Sequence, residues 1–293
     1  MCDGRVLFSL ICLIKLVMNK NMIFDADGQA GTDSIEKSEK RSNRIYDKNL
    51  CNRYKCTDSG TICNKKALSQ RERKYLKYKE IANNKEINAY LQKGNANLGQ
   101  LGFTDHSKAH CVQVAHQAGK ILKRLGYSEH EIELAKIAGY MHDIGNAINR
   151  THHAEYGALL ANDLLKETDM SLEDRITVIA AIGNHDESTG SPEDVVSAAL
   201  IIADKTDVRR SRVRQKEQSA YDIHDRVNYA VTDAKLKIAE DRSVIALNLQ
   251  IDEKICSMYD YFEIFLERMM LCRKAAEILG TTFKLTVNGR KVL

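Results

Sequence analysis

The sequence has no tryptophan, a single proline and no apolar stretch long enough to cross a bilayer. Its longest apolar run covers residues 6–18 and is interrupted by Lys15, whereas a membrane helix needs about 20 apolar residues. We therefore expect no integral membrane span. The scarcity of proline and of strand-like runs favours helices. A hydrophobic content of 43% with 29% charged residues excludes a fully disordered chain.

The sequence also lacks closely spaced cysteine pairs and, beyond residue 90, a basic stripe. Of its eight cysteines, Cys51, Cys56 and Cys63 are spaced too widely for a zinc knuckle. Scattered cysteines of this kind are typical of a reduced, cytoplasmic protein. Residues 1–90 hold 18 Lys and Arg against 11 Asp and Glu, whereas the remainder holds 26 against 29. This acidic balance argues against duplex nucleic acid as a partner.

Residues 1–66 are predicted to be a poorly ordered N-terminal extension. The first 24 residues carry an apolar stretch behind Arg5, but Asp3 and Lys15 interrupt the pattern of a signal peptide. We interpret them as an extension upstream of the true start, with a short amphipathic tail as the alternative. Residues 25–68 are polar and show no sustained period, which predicts disorder.

A helical bundle is predicted for residues 67–240, because apolar residues recur there every three or four positions between capping signals. The predicted helix starts carry serine at Ser69, Ser128, Ser171 and Ser191. Pro192 is expected at the first helical position after Ser191. Gly126 is expected to end the helix over residues 109–125, and glycines 94, 99 and 102 predict a loop.

Residues 241–293 are predicted to form a small β-α-β appendage. The stretches 243–251 and 282–287 alternate apolar and polar residues, as strands do, and an amphipathic helix over about 253–279 separates them. The expected fold class is therefore mainly α, with a two-stranded β element packed on a long helix. The apolar face of that helix is interpreted as core or as a homodimer contact.

Most of the nine histidines lie between residues 106 and 185. His142 follows Ala135 and Ala138 at helical spacing, which predicts a buried position beside Asp143. Asp204 follows four apolar residues, and buried carboxylates are usually paired or bound to metal. The other candidates, at separate helix positions, are His110, His153 and His185. Four histidines and two aspartates form a nitrogen and oxygen donor set suited to one or two divalent Mn, Fe, Co, Ni or Zn ions.

The order of these six residues resembles the HD-domain superfamily of metal-dependent phosphohydrolases, over about residues 104–215. The spelling His142-Asp-Ile-Gly145 resembles its HDIG subgroup. The resemblance implies a helical bundle, a mono- or dinuclear centre and the hydrolysis of phosphate esters, usually nucleotides. It implies a first metal site of His110, His142, Asp143 and Asp204. It also implies that His153 and His185 are the additional ligands of the dinuclear members.

Two departures from this family bear on the substrate. Asn146 stands where many HDIG proteins carry a lysine implicated in phosphate contact. After His185 the chain continues with Asp186-Glu-Ser-Thr-Gly rather than with the Gly-Tyr-Pro motif of cyclic di-GMP phosphodiesterases. Cyclic di-GMP is therefore not an expected substrate.

Three residues are predicted to take part in the reaction itself. Asp143 can bridge two ions, since a carboxylate has two oxygens. Arg209 is the candidate for phosphate contact, because a guanidinium suits phosphate oxygens; a solvated basic face or an ion pair with Asp207 is the alternative. Asp186 is a candidate general base, with a solvated loop carboxylate as the alternative. Lys205 and Arg150 are lesser candidates for phosphate contact.

A hydrolase that acts on a small phosphorylated substrate, with a nucleotide favoured, is the leading hypothesis. One alternative is an oxygenase, since some HD-fold proteins use a di-iron centre to cleave C–C or C–P bonds. Another is a regulatory module that binds a nucleotide without turnover. The complete set of six ligands favours an enzyme, because a protein that only binds a nucleotide has no need for all of them.

Overall fold

The computed structural model describes residues 75–214 and 223–292 of the chain. Its helices are α1 (Tyr78–Ala82), α2 (Lys85–Gln100), α3 (Lys108–Leu125), α4 (Glu129–Met141), α5 (His153–Lys166), α6 (Leu172–Gly183), α7 (Val195–Lys205), α8 (Ile223–Ala230) and α9 (Met258–Ile278). Short 3-10 turns cover Ile144–Ala147 and Arg210–Arg212. Its strands are β1 (Val231–Ile238), β2 (Val244–Ile251), β3 (Thr282–Val287) and β4 (Arg290–Lys291). The predicted fold class, mainly helical with a small C-terminal sheet, is confirmed.

Two of the predicted helix starts, at Ser128 and Ser171, carry the expected side-chain caps. The Ser128 hydroxyl accepts from the backbone N–H of Glu131, whose carboxylate accepts from the N–H of Ser128. Gly126 ends α3 in the left-handed region, with φ of 92°. The prediction for Pro192 was wrong, because α7 begins at Val195. Asp194 is its cap and accepts from the backbone N–H of Ser197. The predicted cap at Ser69 lies outside the described residues.

The loop predicted from the glycines after residue 92 was also wrong, because α2 continues through Gly94 and Gly99 to residue 100. Gly94 is buried against the 3-10 turn that follows α4. A Cβ at Gly94 would lie 3.1 Å from both the Ala147 nitrogen and the Asn146 Cβ. In this helix the glycine therefore permits a close approach rather than ending the element.

Helix α7 lies at the centre of the bundle. It contacts α3, α4, α6 and α9, and residues 196–203 are all buried. A helix that is apolar on every side has no solvent face, so the bundle closes around it. Its C-terminal end therefore carries Asp204 and Lys205 into the interior. Within the described part of the chain, no helix is both long and apolar enough to cross a bilayer.

The C-terminal sheet has four strands in the order β1-β2-β3-β4, rather than the two predicted. β1 pairs antiparallel with β2, β2 pairs parallel with β3, and β3 pairs antiparallel with β4. Since α9 returns the chain across the sheet, β2 and β3 run in the same direction. α9 contacts both β3 and α7, so it joins the sheet to the bundle. The sequence boundary predicted at residue 240 falls in the turn between β1 and β2.

Candidate metal centre

The six predicted ligands come from five elements that meet beside the end of α7. His110 lies in the first turn of α3, and His142 and Asp143 follow the last residue of α4. His153 is the first residue of α5, His185 follows α6, and Asp204 is the penultimate residue of α7. All are buried except Asp204, whose side chain is 12% exposed.

Two glycines set the close packing that brings these elements together. A Cβ at Gly139 would lie 2.9 Å from the Cα of Ala115, so α3 and α4 approach closely only without it. A Cβ at Gly145 would overlap the carbonyl oxygen of His153 and would lie 2.5 Å from the nitrogen of Gly157. Because residue 145 is a glycine, the turn after Asp143 packs directly against the first turn of α5, which begins at His153.

Four ligand atoms form what we call the first ligand group: His110 Nε2, His142 Nε2, Asp143 Oδ2 and Asp204 Oδ1. His110 Nε2 lies 3.3 Å from His142 Nε2, 3.7 Å from Asp143 Oδ2 and 3.4 Å from Asp204 Oδ1. His142 Nε2 lies 3.2 Å from Asp143 Oδ2 and 3.6 Å from Asp204 Oδ1. A tetrahedral ion with ligands at about 2.0–2.2 Å separates those ligands by about 3.3–3.6 Å. The spacing therefore fits one ion.

A second ligand group consists of Asp143, His153 and His185. His153 Nε2 lies 3.2 Å from His185 Nε2 and 3.8 Å from Asp143 Oδ1. Asp143 therefore turns Oδ2 toward the first group and Oδ1 toward the second, which is the arrangement of a bridging carboxylate. Asp186 lies beside this group, with its Oδ2 atom 3.7 Å from His153 Nε2.

The hydrogen bonds of the four imidazoles fix which nitrogen carries the proton. Carbonyl and carboxylate oxygens can only accept, so each Nδ1–H must donate. His142 donates to Gly139 O at 2.9 Å and His185 to Ile182 O at 2.6 Å. In the same way, His153 donates to Arg150 O at 3.2 Å and His110 to Asp207 Oδ2 at 2.7 Å.

These donations turn the Nε2 atoms of the four imidazoles toward one another and toward two carboxylates. The buried Asp143 Oδ2 accepts no hydrogen bond. Burial alone would lower the pKa of His142, but the Asp143 and Asp204 carboxylates outweigh it and raise that pKa to about 10. These residues could therefore hold a cation, and a divalent ion fits the donor set of imidazoles and carboxylates. Its identity is not fixed by these donors.

Ion pairs among Glu187, Lys205 and Arg268 hold Asp204 in place, whereas the sequence suggested Lys205 only as a phosphate contact. Glu187 accepts from Lys205 Nζ at 2.6 Å and from Arg268 Nε at 2.8 Å, and Lys205 also contacts Asp204 Oδ2 at 2.9 Å. Burial raises the pKa of Glu187, but Lys205 and Arg268 lower it more, so its carboxylate stays ionised. Since Arg268 lies on α9, the C-terminal element reaches the metal ligands through this chain of contacts.

A cavity of about 140 Å³ opens beside the two ligand groups. Its walls include Phe103, His106, Asp143, Arg150, His153, His185, Glu187, Asp204, Lys205, Arg212, Asp225, Asn228 and Arg268. Lys205 and Arg268 are neutralised by carboxylates. Arg150 and Arg212 form no ion pair with any carboxylate in the described ranges, and Arg212 bonds only the carbonyls of Asp105 and Asp207.

The structure separates the remaining sequence candidates. Arg209 is absent from the cavity wall, because its guanidinium bonds both oxygens of Asp207, the carboxylate that accepts from His110. Asp186 lies next to His153, and its Oδ1 accepts from the N–H and hydroxyl of Ser188. Asn146, where the resembled family carries lysine, donates to Asp143 Oδ1 at 2.8 Å rather than facing a substrate.

Comparison with known proteins agrees with this geometry. Residues 108–210 match the model of the HD domain family. The uncharacterized protein MJ1020 of Methanocaldococcus jannaschii is 28% identical over 191 residues, which are 57% of this chain and 73% of that protein. Ribonuclease Y of Lawsonia intracellularis is 30% identical over 111 residues, and ribonuclease Y of Campylobacter concisus is 32% identical over 126.

The matched regions cover 20% and 22% of these two ribonucleases and 36% and 41% of this chain. Five of the six ligands lie on α3 to α6 and their connections, and Asp204 is the penultimate residue of α7, so all six fall inside the matched range of 108–210. Residues 108–210 thus resemble the HD domain both in sequence and in their ligand set, and this match supports the HD superfamily of metal-dependent phosphohydrolases at the level of the family.

Proposed function

We propose that this protein hydrolyses a small phosphate ester, with a nucleotide as the favoured substrate, and that it belongs to the HDIG type. One observation carries the proposal. Four imidazole lone pairs and two carboxylates converge beside a cavity whose wall holds two guanidinium groups without carboxylate partners among the described residues. A metal-assisted attack on a phosphate requires a cation site directly beside groups that bind an anion.

The residues of the two ligand groups have distinct tasks. His110, His142 and Asp204 would hold one ion, His153 and His185 a second, and Asp143 both. When bound, a divalent ion lowers the pKa of a water toward about 7 and polarises a phosphoryl oxygen. The Nδ1 hydrogen bonds keep each imidazole in the tautomer and orientation that ligation needs.

Arg150 and Arg212 are the residues we assign to the substrate phosphate. Both line the cavity, and neither forms an ion pair with a carboxylate within the described ranges. Guanidinium groups bind phosphate oxygens through paired N–H donors, and such charge-assisted bonds are among the strongest polar contacts. The role predicted for Arg209 thus passes to these two, and Arg209 acts instead on Asp207.

Asp186 is proposed to orient the attacking water. Burial raises its pKa, but the hydrogen bonds from Ser188 outweigh it, and the net pKa is lowered. A carboxylate with a lowered pKa accepts hydrogen bonds well but binds a proton weakly. Positioning of the water is therefore a better role for Asp186 than strong general-base catalysis.

The size of the cavity bears on the substrate. Pockets that enclose a whole drug-sized ligand measure about 300–1,000 Å³, whereas this cavity measures about 140 Å³. It suits a phosphate group, and the organic part of the ester would extend beyond it. Ribonuclease Y is named for action on RNA, so a short RNA belongs among the substrates to be tested.

The experiment begins with protein stripped by a chelator and reloaded separately with Mn, Fe, Co, Ni or Zn. Each form is assayed with p-nitrophenyl phosphate, bis-p-nitrophenyl phosphate, a panel of nucleotides and short single-stranded RNA. We expect phosphate release or diester cleavage with at least one ion, and a fall of at least tenfold in Arg150→Ala and Arg212→Ala. Asp233→Asn, on the exposed face of β1, is the control and should keep full turnover.

Two outcomes would contradict the proposal. Full metal loading without turnover of any of these substrates would favour the regulatory module that only binds a nucleotide. Oxygen uptake by the iron-loaded protein, without hydrolysis under any condition, would favour the oxygenase.

A further inference from the structure

The second ligand group already contains a cation from the chain itself. Arg150 Nη1 lies 3.3 Å from His153 Nε2, the ligand atom of that group. The Arg150 backbone carbonyl accepts from the other ring nitrogen of the same histidine, at 3.2 Å. One residue therefore contacts both nitrogens of one imidazole.

The two contacts are consistent with only one protonation state of His153. The carbonyl requires the proton on Nδ1, and the guanidinium, which can only donate, requires a lone pair on Nε2. The guanidinium thus takes the lone pair that a metal ion would otherwise bind.

The first ligand group has no comparable occupant. Among the described residues, no Arg or Lys nitrogen contacts Nε2 of His110 or His142. Lys205 reaches Asp204 through Oδ2, at 2.9 Å, and leaves Oδ1 directed at the two imidazoles. The two groups therefore share Asp143 but are unequal in their readiness for an ion.

The surroundings of Arg150 allow it to leave His153. Its neighbours Asn149, Thr151 and His152 are exposed, so the connection between the 3-10 turn and α5 is not packed in the core. The Arg150 guanidinium also lies 5.5 Å from the centroid of the Phe103 ring, on the wall of the cavity. A phosphate in that cavity would meet a guanidinium that, among the described residues, forms one hydrogen bond, to the His153 ring.

We propose that Arg150 is the resident cation of the second ligand group and that it exchanges between His153 and a phosphate group of the substrate. With Arg150 on His153, a second ion binds weakly. With Arg150 drawn to phosphate, His153 Nε2 is released to act as a ligand beside His185, so phosphate promotes binding of the second ion. This inference rests on the proposed metal centre, but it concerns ion binding rather than hydrolysis.

The test is a titration of metal-free protein with Mn²⁺, in which the free ion is followed by electron paramagnetic resonance, with and without inorganic phosphate. For the unmodified protein we expect one tight and one weak equivalent, and phosphate should tighten the weak one at least tenfold. In Arg150→Ala the second equivalent should be tighter than in the unmodified protein by about ten- to a hundredfold, the equivalent of one charge-assisted hydrogen bond. Phosphate should then have no further effect.

Two further variants make the titration specific. Arg212→Ala removes one positive charge from the same cavity but leaves Arg150 in place, so binding of the second Mn²⁺ should stay weak in this variant. If Arg212→Ala does not fold, Arg212→Gln is used instead. Arg150→Ala combined with His185→Ala should lose the added tight equivalent, which assigns it to the second group.

The proposal is overturned if Arg150→Ala leaves the second dissociation constant within twofold of the unmodified value. It is also overturned if Arg212→Ala tightens that equivalent as much as Arg150→Ala does. Failure of the proposed hydrolysis would show as absent turnover with ion binding as described here. The two failures are therefore distinguishable.

Discussion

Replacement of Asp207 by asparagine is expected to weaken ion binding at the first ligand group about ten- to a hundredfold. Asp207 is not itself one of the six candidate ligands. Its Oδ2 atom accepts from His110 Nδ1 at 2.7 Å, and both side chains are buried. An ionised partner on Nδ1 raises the basicity of Nε2 and fixes the ring, whereas a neutral amide does so less strongly.

The magnitude follows from that one contact. Burial raises the pKa of Asp207, but the hydrogen bonds from His110 and Arg209 outweigh it, so the carboxylate is ionised at neutral pH. A hydrogen bond to a charged group contributes about 1.5–3 kcal/mol. At about 1.4 kcal/mol per factor of ten, its loss corresponds to the stated range.

The assay is competition for Zn²⁺ or Mn²⁺ between the protein and a chromophoric chelator, with folding checked by circular dichroism. Arg209→Ala removes the partner that fixes Asp207 but leaves the carboxylate, so its affinity should fall by less than tenfold. An unchanged ion affinity in Asp207→Asn would refute the reasoning. If Arg209→Ala kept its ion affinity and lost turnover, Arg209 would contact the substrate, as the sequence predicted.

Three further predictions concern packing, pH and the N-terminal residues. Gly145→Ala should either prevent folding, seen in thermal melts, or prevent binding of the second ion, seen in metal analysis. In Gly183→Ala the added Cβ would lie 3.5 Å from its nearest atom, so this control should melt like the unmodified protein. Glu187→Gln should lower the free energy of unfolding by about 1–3 kcal/mol at pH 7 in urea titrations. The pKa of Glu187 is depressed in the folded protein, so its carboxylate stabilises the fold above its ordinary pKa, and this stabilisation is lost as the pH falls below that value. The difference in unfolding free energy between Glu187→Gln and the unmodified protein should therefore shrink at pH 3.5. An undiminished difference would contradict this. Deletion of residues 1–66 should leave metal content unchanged, and loss of soluble protein would refute the predicted boundary.

The ligands could be predicted because their signal is local. Asp204 follows four apolar residues, and His142 lies at helical spacing from two buried alanines. Both patterns indicate a buried polar side chain. The HD spelling and the order of the six residues then supply the likeness to a family. The structure brings all six together around one carboxylate, Asp143.

The supporting residues could not be predicted because their partners are remote in sequence. His110 and Asp207 are 97 residues apart, and Glu187 and Arg268 are 81 apart. A surface carboxylate and a buried one look alike in a sequence until the fold supplies the partner. Arg209 differs, because its partner Asp207 is only two residues away and the sequence left this ion pair open as the alternative to phosphate contact.

Strand β1 and the second half of α2 were missed for different physical reasons. β1 has charged residues at Asp233, Lys235 and Lys237 and pairs on one edge only, so its apolar alternation is weak. Gly94 was interpreted as a helix breaker, because propensity alone disfavours glycine in a helix. Its contact with the 3-10 turn outweighs that cost, and only tertiary packing reveals it.

The most direct test of the metal centre is Asp143→Asn, measured by metal content and by turnover of the best substrate found. The change keeps the size of the side chain but removes the charge that faces both ligand groups. We expect Asp143→Asn to lose at least one ion per chain and to lose hydrolysis, whereas the control Asp233→Asn should retain its ions and its turnover. If Asp143→Asn retained the full metal content and full turnover, the central claim that this carboxylate joins the two groups would be contradicted.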